Sequence, residues 1–353
     1  MSLLFFLCAF LLSWGLTAYL LRFASRHQLV DSPNQRSLHT QPTPIIGGLA
    51  MLISLVSTTL IASIWMPNLL LVLPNQFWMP LLLVASISYL DDCRPISAGW
   101  RLLVHFIAAL WLLTLVEQWP IWIQCISLPM VAITLPTFLK FLFSMLFIMW
   151  MVNLYNFMDG MDGFAGGMAV IGFGTLAVVG YTAGAQEFAF LNGLIVAVAL
   201  GFLMLNFPPA KVFMGDTGSS SLGYLAALMS LWGASLGLYA LWIAVLIFSP
   251  FIVDATVTLI RRFLEGEKVW QAHRTHYYQR LVRLGWGHRK TVLWQYVLMA
   301  ACSLSALVAT AVSTFWQSLI LMSWCMIYVL LAWKVASLEQ GIQQTRSTEP
   351  HLT

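Results

Sequence analysis

Charged residues are scarce in this sequence. Only 8% of the 353 residues are Asp, Glu, Lys or Arg, whereas 60% are hydrophobic. Soluble domains carry about 25% charged residues, so the composition excludes an ordinary water-soluble globular protein. Several apolar runs reach the roughly 20 residues that an α-helix needs to cross a bilayer. We therefore expect an all-α polytopic membrane protein.

Cysteine patterns and targeting signals are also missing. The five cysteines form no Cys-x-x-Cys pair and no Cys/His spacing of the kind that binds zinc. The first apolar run has no basic region before it and no small-residue cleavage site after it. We therefore expect a retained first helix rather than a cleaved signal peptide.

Eleven apolar segments are candidates for transmembrane helices. The chain has 17 Lys and Arg residues. If the amino terminus lies in the periplasm, all of them except Lys140 fall in cytoplasmic segments or at the cytoplasmic edges of spans. This bias predicts a cytoplasmic carboxyl terminus. The predicted spans are residues 2–22, 45–65, 76–90, 102–116, 138–153, 164–183, 188–205, 218–235, 238–260, 291–312 and 315–335.

The segment 119–136 is apolar but is interrupted by three prolines. Its pieces are strand-length and β-branched, which predicts a small periplasmic hairpin or a re-entrant segment. The composition otherwise indicates one membrane domain, residues 1–337. A polar cytoplasmic tail, residues 338–353, follows it and is expected to be loose.

The aspartates concentrate at the cytoplasmic ends of the predicted spans. Adjacent carboxylates repel each other unless a cation lies between them, and ionisable residues near the apolar zone are functional candidates. Oxygen-only clusters suit Mg²⁺, with Mn²⁺ as an alternative. Solvated helix ends are the ordinary explanation for any single residue. The six are Asp91, Asp92, Asp159, Asp162, Asp216 and Asp254.

Two cytoplasmic loops carry features of anion-binding sites. In NLYNFMDGMDGFAGG (153–167), four glycines would let the backbone approach a ligand closely. In NFPPAKVFMGDTGSSSLG (206–223), Lys211 supplies a cation, and Asp216 lies where the next helix begins with its free N–H groups. Capping of that helix by Thr or Ser is the alternative, and both can hold.

The largest cytoplasmic loop, residues 261–290, is rich in basic and imidazole groups. His273 and His276 are three residues apart, which predicts that they share a helical face on either side of Arg274. Zinc and anionic lipid headgroups are alternative ligands. A diphosphate is favoured, because metal, phosphate and cations at one face are what phosphoryl transfer requires.

Five motifs in order resemble those of one family. They are HTQPTPIIGG (39–48), the DD pair (91–92), NLYNFMDGMDG (153–163), NFPPAKVFMGDTGS (206–219) and HRTHYYQRL (273–281). Over roughly residues 1–335 the chain resembles the polyprenyl-phosphate N-acetylhexosamine-1-phosphate transferases (glycosyltransferase family 4). This family includes the phospho-MurNAc-pentapeptide translocase and the enzymes that start O-antigen and enterobacterial common antigen chains. Its eleven-span arrangement in the GlcNAc-type branch agrees with the charge-based topology.

The resemblance implies roles for the matching residues. Asp91, Asp92 and Asp216 are expected to be catalytic and to bind Mg²⁺, and His276 is expected to be catalytic. The expected substrate-binding residues are Asn153, Asn156, Asp159, Asp162, Asn206, Lys211, His273, Arg274 and Arg101. The implied partners are a UDP-linked N-acetylhexosamine, undecaprenyl phosphate and membrane lipids. No nucleic acid is expected, and a homodimer is left open.

Two departures indicate the subgroup. The last loop reads HRTH where the translocase branch has three consecutive histidines, and PTPIIGG replaces a GTPTMGG-like stretch. The pattern therefore looks closer to the O-antigen-initiating enzymes, whose donors include UDP-GlcNAc and UDP-linked deoxy sugars such as N-acetylfucosamine. The expected enzyme works at the cytoplasmic face of the bacterial inner membrane, and a phospho-MurNAc-pentapeptide donor is the alternative.

Two other functional classes fit the sequence less well. An intramembrane aspartyl protease needs two aspartates that share a proton at depth, whereas this chain has six carboxylates near helix ends. An anion transporter usually shows internal repeats and ionisable groups near the midplane, and no repeat is evident. Whether transfer occurs in one step or through a covalent aspartyl intermediate is open.

Overall fold

The computed structural model describes residues 2–24, 29–33, 38, 41–66, 75–114, 122–123, 125–269, 271 and 273–348. Some predicted features fall outside the described residues. These are the start of the first motif (39–40), the end of the fourth predicted span (115–116), part of the predicted hairpin segment (119–121 and 124) and the end of the tail (349–353).

The structure is almost entirely helical. Two short antiparallel pairs, β1–β2 and β3–β4, interrupt the helices. The helices are α1 (Ser2–Ala24), α2 (Gly47–Trp65), α3 (Asn75–Cys93), α4 (Ala98–Thr114), α5 (Thr137–Phe157), α6 (Phe164–Thr182), α7 (Gln186–Asn206), α8 (Gly215–Ser235), α9 (Leu241–Ile247), α10 (Ser249–Leu264), α11 (Tyr277–Leu281), α12 (Gly287–Ala311) and α13 (Thr314–Thr348). The strands are β1 (Val30–Asp31), β2 (Thr43–Pro44), β3 (Cys125–Leu128) and β4 (Val131–Thr134).

The chain is a multi-pass membrane protein. Among the described residues, seven helices are long and apolar enough to cross a bilayer, or eight if the bent pair α9–α10 forms one span. Each of the eleven predicted segments falls on a helix or on this bent pair. The total of eleven spans and the orientation of the chain stay predictions.

The ninth predicted span is not straight. Helices α9 and α10 meet at an angle of 84° around Phe248. Pro250 has no N–H to donate to Leu246, four residues earlier, so a continuous helix would lose that hydrogen bond. The Ser249 hydroxyl donates to the Leu246 carbonyl instead, at 2.7 Å. The segment predicted as the ninth span is therefore two helices at an angle, and its crossing of the membrane as one span stays a prediction.

The predicted hairpin is present. Strands β3 and β4 pair antiparallel, with Cys125 opposite Thr134 and Ile126 opposite Ile133. A two-residue turn at Pro129 and Met130 joins them. Most of the hairpin's side chains are exposed or half-buried, so it is an appendage to the helices rather than part of their core.

Helix α8 lies at the centre and packs against α2, α3 and α5. Small residues allow these close approaches, as is common between membrane helices. A Cβ on Gly48 of α2 would lie 2.3 Å from the backbone nitrogen of Gly218. The Gly47 and Gly48 amides donate to the carbonyls of Phe213 and Met214, at 3.0 and 2.9 Å. The glycine pair of the first motif thus holds the loop before α8.

The polar tail begins as part of a helix. Helix α13 continues to Thr348, and the Arg280 guanidinium makes a bidentate ion pair with Glu339. The expectation that the tail is loose from residue 338 was therefore wrong as far as Thr348. Arg280 also stacks on Tyr277, 4.8 Å from the ring centroid, so the tail helix contacts the loop that carries the histidines.

Candidate active site

The start of α8 is held by Asp92 from the end of α3. The Asp92 carboxylate accepts hydrogen bonds from the Asp216 amide at 2.8 Å and the Thr217 amide at 3.0 Å. The Thr217 hydroxyl adds a third hydrogen bond, at 2.5 Å. The first amides of a helix lack partners within the helix and carry partial positive charge. Asp92 therefore caps α8 and fixes the backbone that carries Asp216.

A glycine makes this contact possible. Gly215 has φ +72°, a left-handed conformation that favours glycine. A Cβ at this position would lie 2.8 Å from the Asp92 carboxylate. The glycine in the sequence MGD therefore lets the Asp92 carboxylate reach the first amides of α8.

Arg101 lies between two carboxylates. Its guanidinium donates to Asp91 at 2.6 Å and to Asp216 at 3.0 Å. The second Asp91 oxygen accepts from the Ile96 amide at 2.6 Å. The two aspartates of the DD pair thus differ in role, because Asp92 binds helix α8 and Asp91 binds Arg101. Metal binding by either aspartate and substrate binding by Arg101 stay predictions.

Asp159, in the loop between α5 and α6, is a further member of the acidic cluster that Asp91, Asp92 and Asp216 form. Burial and the nearby charges of Asp216, Asp92 and Asp162 raise its pKa well above the usual range. A cation nearby would stabilise the ionised form. Asn156 belongs to the same region, since its amide donates to the Ser219 hydroxyl of α8 at 3.1 Å. Asn153 lies one turn earlier, and its amide nitrogen donates to the Met149 carbonyl at 2.7 Å.

Asn206 joins the two glycine-containing loops. Its oxygen accepts from the Gly163 amide at 2.9 Å, and its nitrogen donates to the Val212 carbonyl at 2.8 Å. Asn206 is buried, so these hydrogen bonds fix one loop against the other. This arrangement gives Asn206 a supporting position, and its expected contact with substrate stays a prediction.

Asp162 ties the same loops to α12. One oxygen accepts from the Ala210 amide at 3.1 Å, and the other lies 3.0 Å from His288 Nδ1. Burial opposes the ionised form, but the hydrogen bonds and the charge of His288 outweigh it and lower the pKa of Asp162. Asp162 is therefore an anion at neutral pH. His288, which was not among the expected site residues, pairs with it.

Asp254 anchors the loop that carries His273 and His276, the histidine loop, and the sequence did not predict this role. Its carboxylate accepts from the amides of Tyr277 at 2.9 Å and Tyr278 at 3.1 Å, the first residues of α11. It also lies 3.3 Å from His276 Nδ1 and accepts from the Thr258 hydroxyl at 3.2 Å. The available signal was its position, an acidic residue seven places before the end of an apolar run.

His276, in the histidine loop, contacts the segment that leads to Asp159. Its ring stacks on Phe157, with centroids 6.4 Å apart, and Phe157 lies two residues before Asp159. The Tyr278 hydroxyl donates to the Phe157 carbonyl at 3.1 Å. The structure thus brings the histidine loop alongside the Asp159 loop.

The two histidines do not share a helical face as predicted, because α11 begins only at Tyr277. His273 precedes the helix in the loop, where its Nδ1 lies 3.0 Å from the Thr275 hydroxyl. The rings are still neighbours, with centroids 4.7 Å apart. Burial and the adjacent His276 lower the pKa of His273 to about 4, so this ring is neutral at pH 7.

Two expected cations remain accessible. Lys211 and Arg274 are exposed, and neither makes an ion pair within the part of the chain that the structure describes. Lys211 is held through its backbone, since its amide donates to Leu205 at 2.8 Å. The basic loop that carries Arg274 is ordered by the buried Arg262, which binds Glu267 at 2.5 Å and the Gln271 carbonyl at 3.2 Å.

The acidic cluster fits a hard divalent cation. Its donors are all oxygens, and Asp216 is close enough for its charge to raise the pKa of Asp159. Within the described residues, no three His, Cys, Asp or Glu side chains form a metal-binding group. Mg²⁺ at phosphate sites commonly uses one or two carboxylates and completes its shell with water and ligand phosphates. Asp216 and Asp159 match that requirement.

The chain is similar to known proteins along most of its length. The family model for glycosyl transferase family 4 matches residues 76–234. A protein of Bacillus subtilis (strain 168), named probable undecaprenyl-phosphate N-acetylglucosaminyl 1-phosphate transferase, is 30% identical over 326 residues, which cover 92% of this chain and 88% of that protein.

Relatives of two further kinds match. The decaprenyl-phosphate N-acetylglucosaminephosphotransferase of Mycolicibacterium smegmatis is 28% identical, covering 85% of this chain and 80% of that protein. The phospho-N-acetylmuramoyl-pentapeptide-transferase of Staphylococcus saprophyticus is 29% identical, covering 71% of this chain and 81% of that protein. All three names describe transfer of a sugar phosphate group, two of them to a polyprenyl phosphate.

Proposed function

This chain belongs to the polyprenyl-phosphate sugar-1-phosphate transferases of glycosyl transferase family 4, and from that premise we propose that it uses a UDP-N-acetylhexosamine and undecaprenyl phosphate. An oxygen of the undecaprenyl phosphate attacks the sugar-linked phosphorus. The bond from that phosphorus to the bridging oxygen breaks, and UMP leaves with this oxygen. The product is a polyprenyl-diphosphate sugar.

One observation carries the proposal: a capped helix start carries Asp216 and contacts the segment that leads to Asp159, with the Asp254-anchored histidine loop alongside. Phosphoryl transfer depends on positioning and on stabilising charged phosphate oxygens, and little covalent chemistry is required of the protein. Carboxylates for a metal and cations for phosphates at one end of a helical bundle meet both needs.

Asp216 and Asp159 are the proposed Mg²⁺ ligands. When bound, Mg²⁺ would neutralise charge on the diphosphate oxygens. Asp92 holds the helix start that carries Asp216, and Asp91 holds Arg101 against it. The proposal thus assigns direct metal binding to Asp216 and Asp159, and support to the DD pair.

The remaining side chains are proposed to bind the diphosphate and prepare the nucleophile. Lys211 and Arg274 are exposed cations, and His276 would add a donor at Nε2 when its ring carries both protons. A phosphate monoester has a second pKa near 6, so the attacking phosphate is mostly deprotonated at neutral pH. Catalysis therefore needs no strong general base.

The donor is proposed to be a UDP-N-acetylhexosamine used to start O-antigen or another cell-surface polysaccharide. Two features support it, the HRTH sequence of the histidine loop and the match over 92% of the chain to a relative named for N-acetylglucosaminyl 1-phosphate. The match to a phospho-N-acetylmuramoyl-pentapeptide-transferase makes a peptidoglycan precursor the second candidate. Action at the cytoplasmic face of the inner membrane is part of the proposal and follows from the charge distribution.

A donor panel tests the proposal. Purified protein is incubated with undecaprenyl phosphate, Mg²⁺ and one sugar-labelled donor, and label in the butanol-extractable lipid is counted with and without EDTA. EDTA-sensitive lipid label from UDP-GlcNAc or a UDP-linked deoxy-N-acetylhexosamine is expected. Label only from UDP-MurNAc-pentapeptide would reassign the donor, and lipid label that persists in EDTA would contradict the metal assignment.

A further inference from the structure

A groove of aromatic and basic side chains lies at the start of α12, outside the candidate active site. It encloses about 410 Å³ and is lined by Trp286, Arg289, Lys290, Leu293 and Trp294. None of these residues takes part in the contacts among the acidic cluster, the glycine loops and the histidine loop. The groove therefore calls for its own explanation.

The groove faces away from the helix bundle. Thr291, Val292 and Met299 of α12 are fully buried, whereas Leu293 and Trp294 are 46% and 57% exposed. Successive residues of a helix are about 100° apart, so the groove occupies the face of α12 opposite to the buried side. Because α12 is apolar and long enough to cross a membrane, we expect this face to contact lipid.

The cations of the groove are available for an anion. Arg289 and Lys290 are exposed, and neither has an acidic partner within the residues that the structure describes. The Lys290 ammonium lies 4.3 Å from the centroid of the Trp286 ring, which holds it at the rim of the groove. Two cations with no acidic partner among the described residues, next to exposed apolar side chains, match a ligand with an anionic head and a hydrocarbon tail.

We propose that this groove binds the headgroup of an anionic glycerophospholipid from the surrounding bilayer. Tryptophan and basic side chains concentrate at the level of the headgroups, which is where the first turn of a spanning helix lies. Arg289 and Lys290 bind the phosphate, while Leu293 and Trp294 contact the glycerol and upper acyl chain.

One residue, His288, connects the groove to the candidate active site. His288, next to Arg289, pairs with Asp162 on the buried side of α12. A lipid bound to Arg289 and Lys290 therefore stabilises the same helical turn that supports Asp162. This lipid site does not depend on the identity of the donor sugar, so it can be tested separately from the proposed function.

Native mass spectrometry of the full chain tests the proposal, with phosphatidylglycerol and phosphatidylcholine as probes. One tightly bound phosphatidylglycerol is expected on the unmodified protein. A cation near a membrane surface contributes on the order of 1 kcal/mol, so Lys290→Gln is expected to weaken this binding roughly fivefold and the Arg289→Gln/Lys290→Gln pair roughly thirtyfold. Phosphatidylcholine binding is expected to be weak and unchanged.

Lys334→Gln is the matched control, because Lys334 is an exposed cation beside the exposed Trp333 of α13 and is not among the residues that line the groove. It is expected to leave phosphatidylglycerol binding within twofold. Equal loss in the control and the groove variants would overturn the proposal, as would binding that the double variant retains. A rise in the KM for undecaprenyl phosphate, with unchanged phosphatidylglycerol binding, would identify the carrier lipid as the occupant and also overturn it.

Discussion

The anchoring of the histidine loop by Asp254 gives the sharpest prediction. Asp254 is 7% exposed, and its two carboxylate oxygens each accept one of the first two amides of α11. Asp254→Ala leaves both amides without an acceptor. Asp254→Asn keeps one acceptor oxygen and loses the charge, so it should fall between the unmodified protein and the alanine variant.

The magnitude follows from these hydrogen bonds. A buried amide that loses its partner costs about 1–3 kcal/mol, so two cost about 2–6 kcal/mol. Each 1.4 kcal/mol corresponds to a factor of ten. If this energy holds the loop in place, kcat/KM for transfer should fall by at least roughly thirtyfold in Asp254→Ala. In Asp254→Asn, one lost amide contact corresponds to a fall of at least roughly fivefold.

Steady-state transfer kinetics and limited trypsin digestion measure the two effects. The alanine variant should be cleaved faster at Lys268 and Arg274, because the loop between α10 and α11 loses its anchor. Thr258→Val removes only a hydroxyl that donates to Asp254 and should change kcat/KM by less than fivefold. If Asp254→Ala is folded, has the digestion pattern of the unmodified protein and keeps kcat/KM within twofold, the anchoring role is refuted.

Four further predictions concern the acidic cluster and the loop. Asp216→Asn should abolish transfer and leave the melting temperature within a few degrees, and near-normal turnover in this variant would contradict the metal assignment. Asp92→Ala should destabilise the protein by about 0.5–2 kcal/mol through loss of the α8 cap, measured by denaturant unfolding in micelles; an unchanged midpoint would argue against capping. Gly215→Ala should cost about 1–2 kcal/mol for its left-handed backbone and also lower transfer, because its Cβ would crowd Asp92; unaltered stability and turnover would show that the contact is dispensable. The pKa of His273 is lowered to about 4, so the neutral ring's contribution to stability is complete above about pH 6.5 and is lost as the pH falls towards 4. His273→Gln should therefore flatten the fall in melting temperature over this pH window. An identical slope in the variant would contradict the burial of the ring.

Hydropathy and charge could predict the helices, and the β-branched, proline-bounded segment could predict the hairpin. Both signals are local in sequence. The bend at Phe248 was also encoded locally, by Ser249 and Pro250, but a continuous run of apolar residues conceals it. The packing of α2 against α8 could not be predicted from such signals, because it depends on the close approach of two glycines, Gly48 and Gly218, that are far apart in the sequence.

The sequence could predict which residues belong to the site better than it could predict what each of them does. Asp92 caps α8 by binding the amide of Asp216, 124 residues later, and Arg101 contacts Asp216 across 115 residues. The sequence could group these residues at one end of the bundle but could not distinguish a cap from a metal ligand. The His273/His276 spacing misled because three-residue spacing implies a shared face only inside a helix, and α11 begins after both.

The fate of the β-phosphate tests the central claim most directly. UDP-GlcNAc labelled with ³²P in its β-phosphate, or the preferred donor from the panel labelled likewise, is incubated with the purified protein, undecaprenyl phosphate and Mg²⁺. Sugar-1-phosphate transfer is expected to move the ³²P into the butanol-extractable lipid and to release unlabelled UMP. Recovery of the ³²P in water-soluble UDP while the sugar enters the lipid would show transfer of the sugar alone and would contradict the proposed reaction.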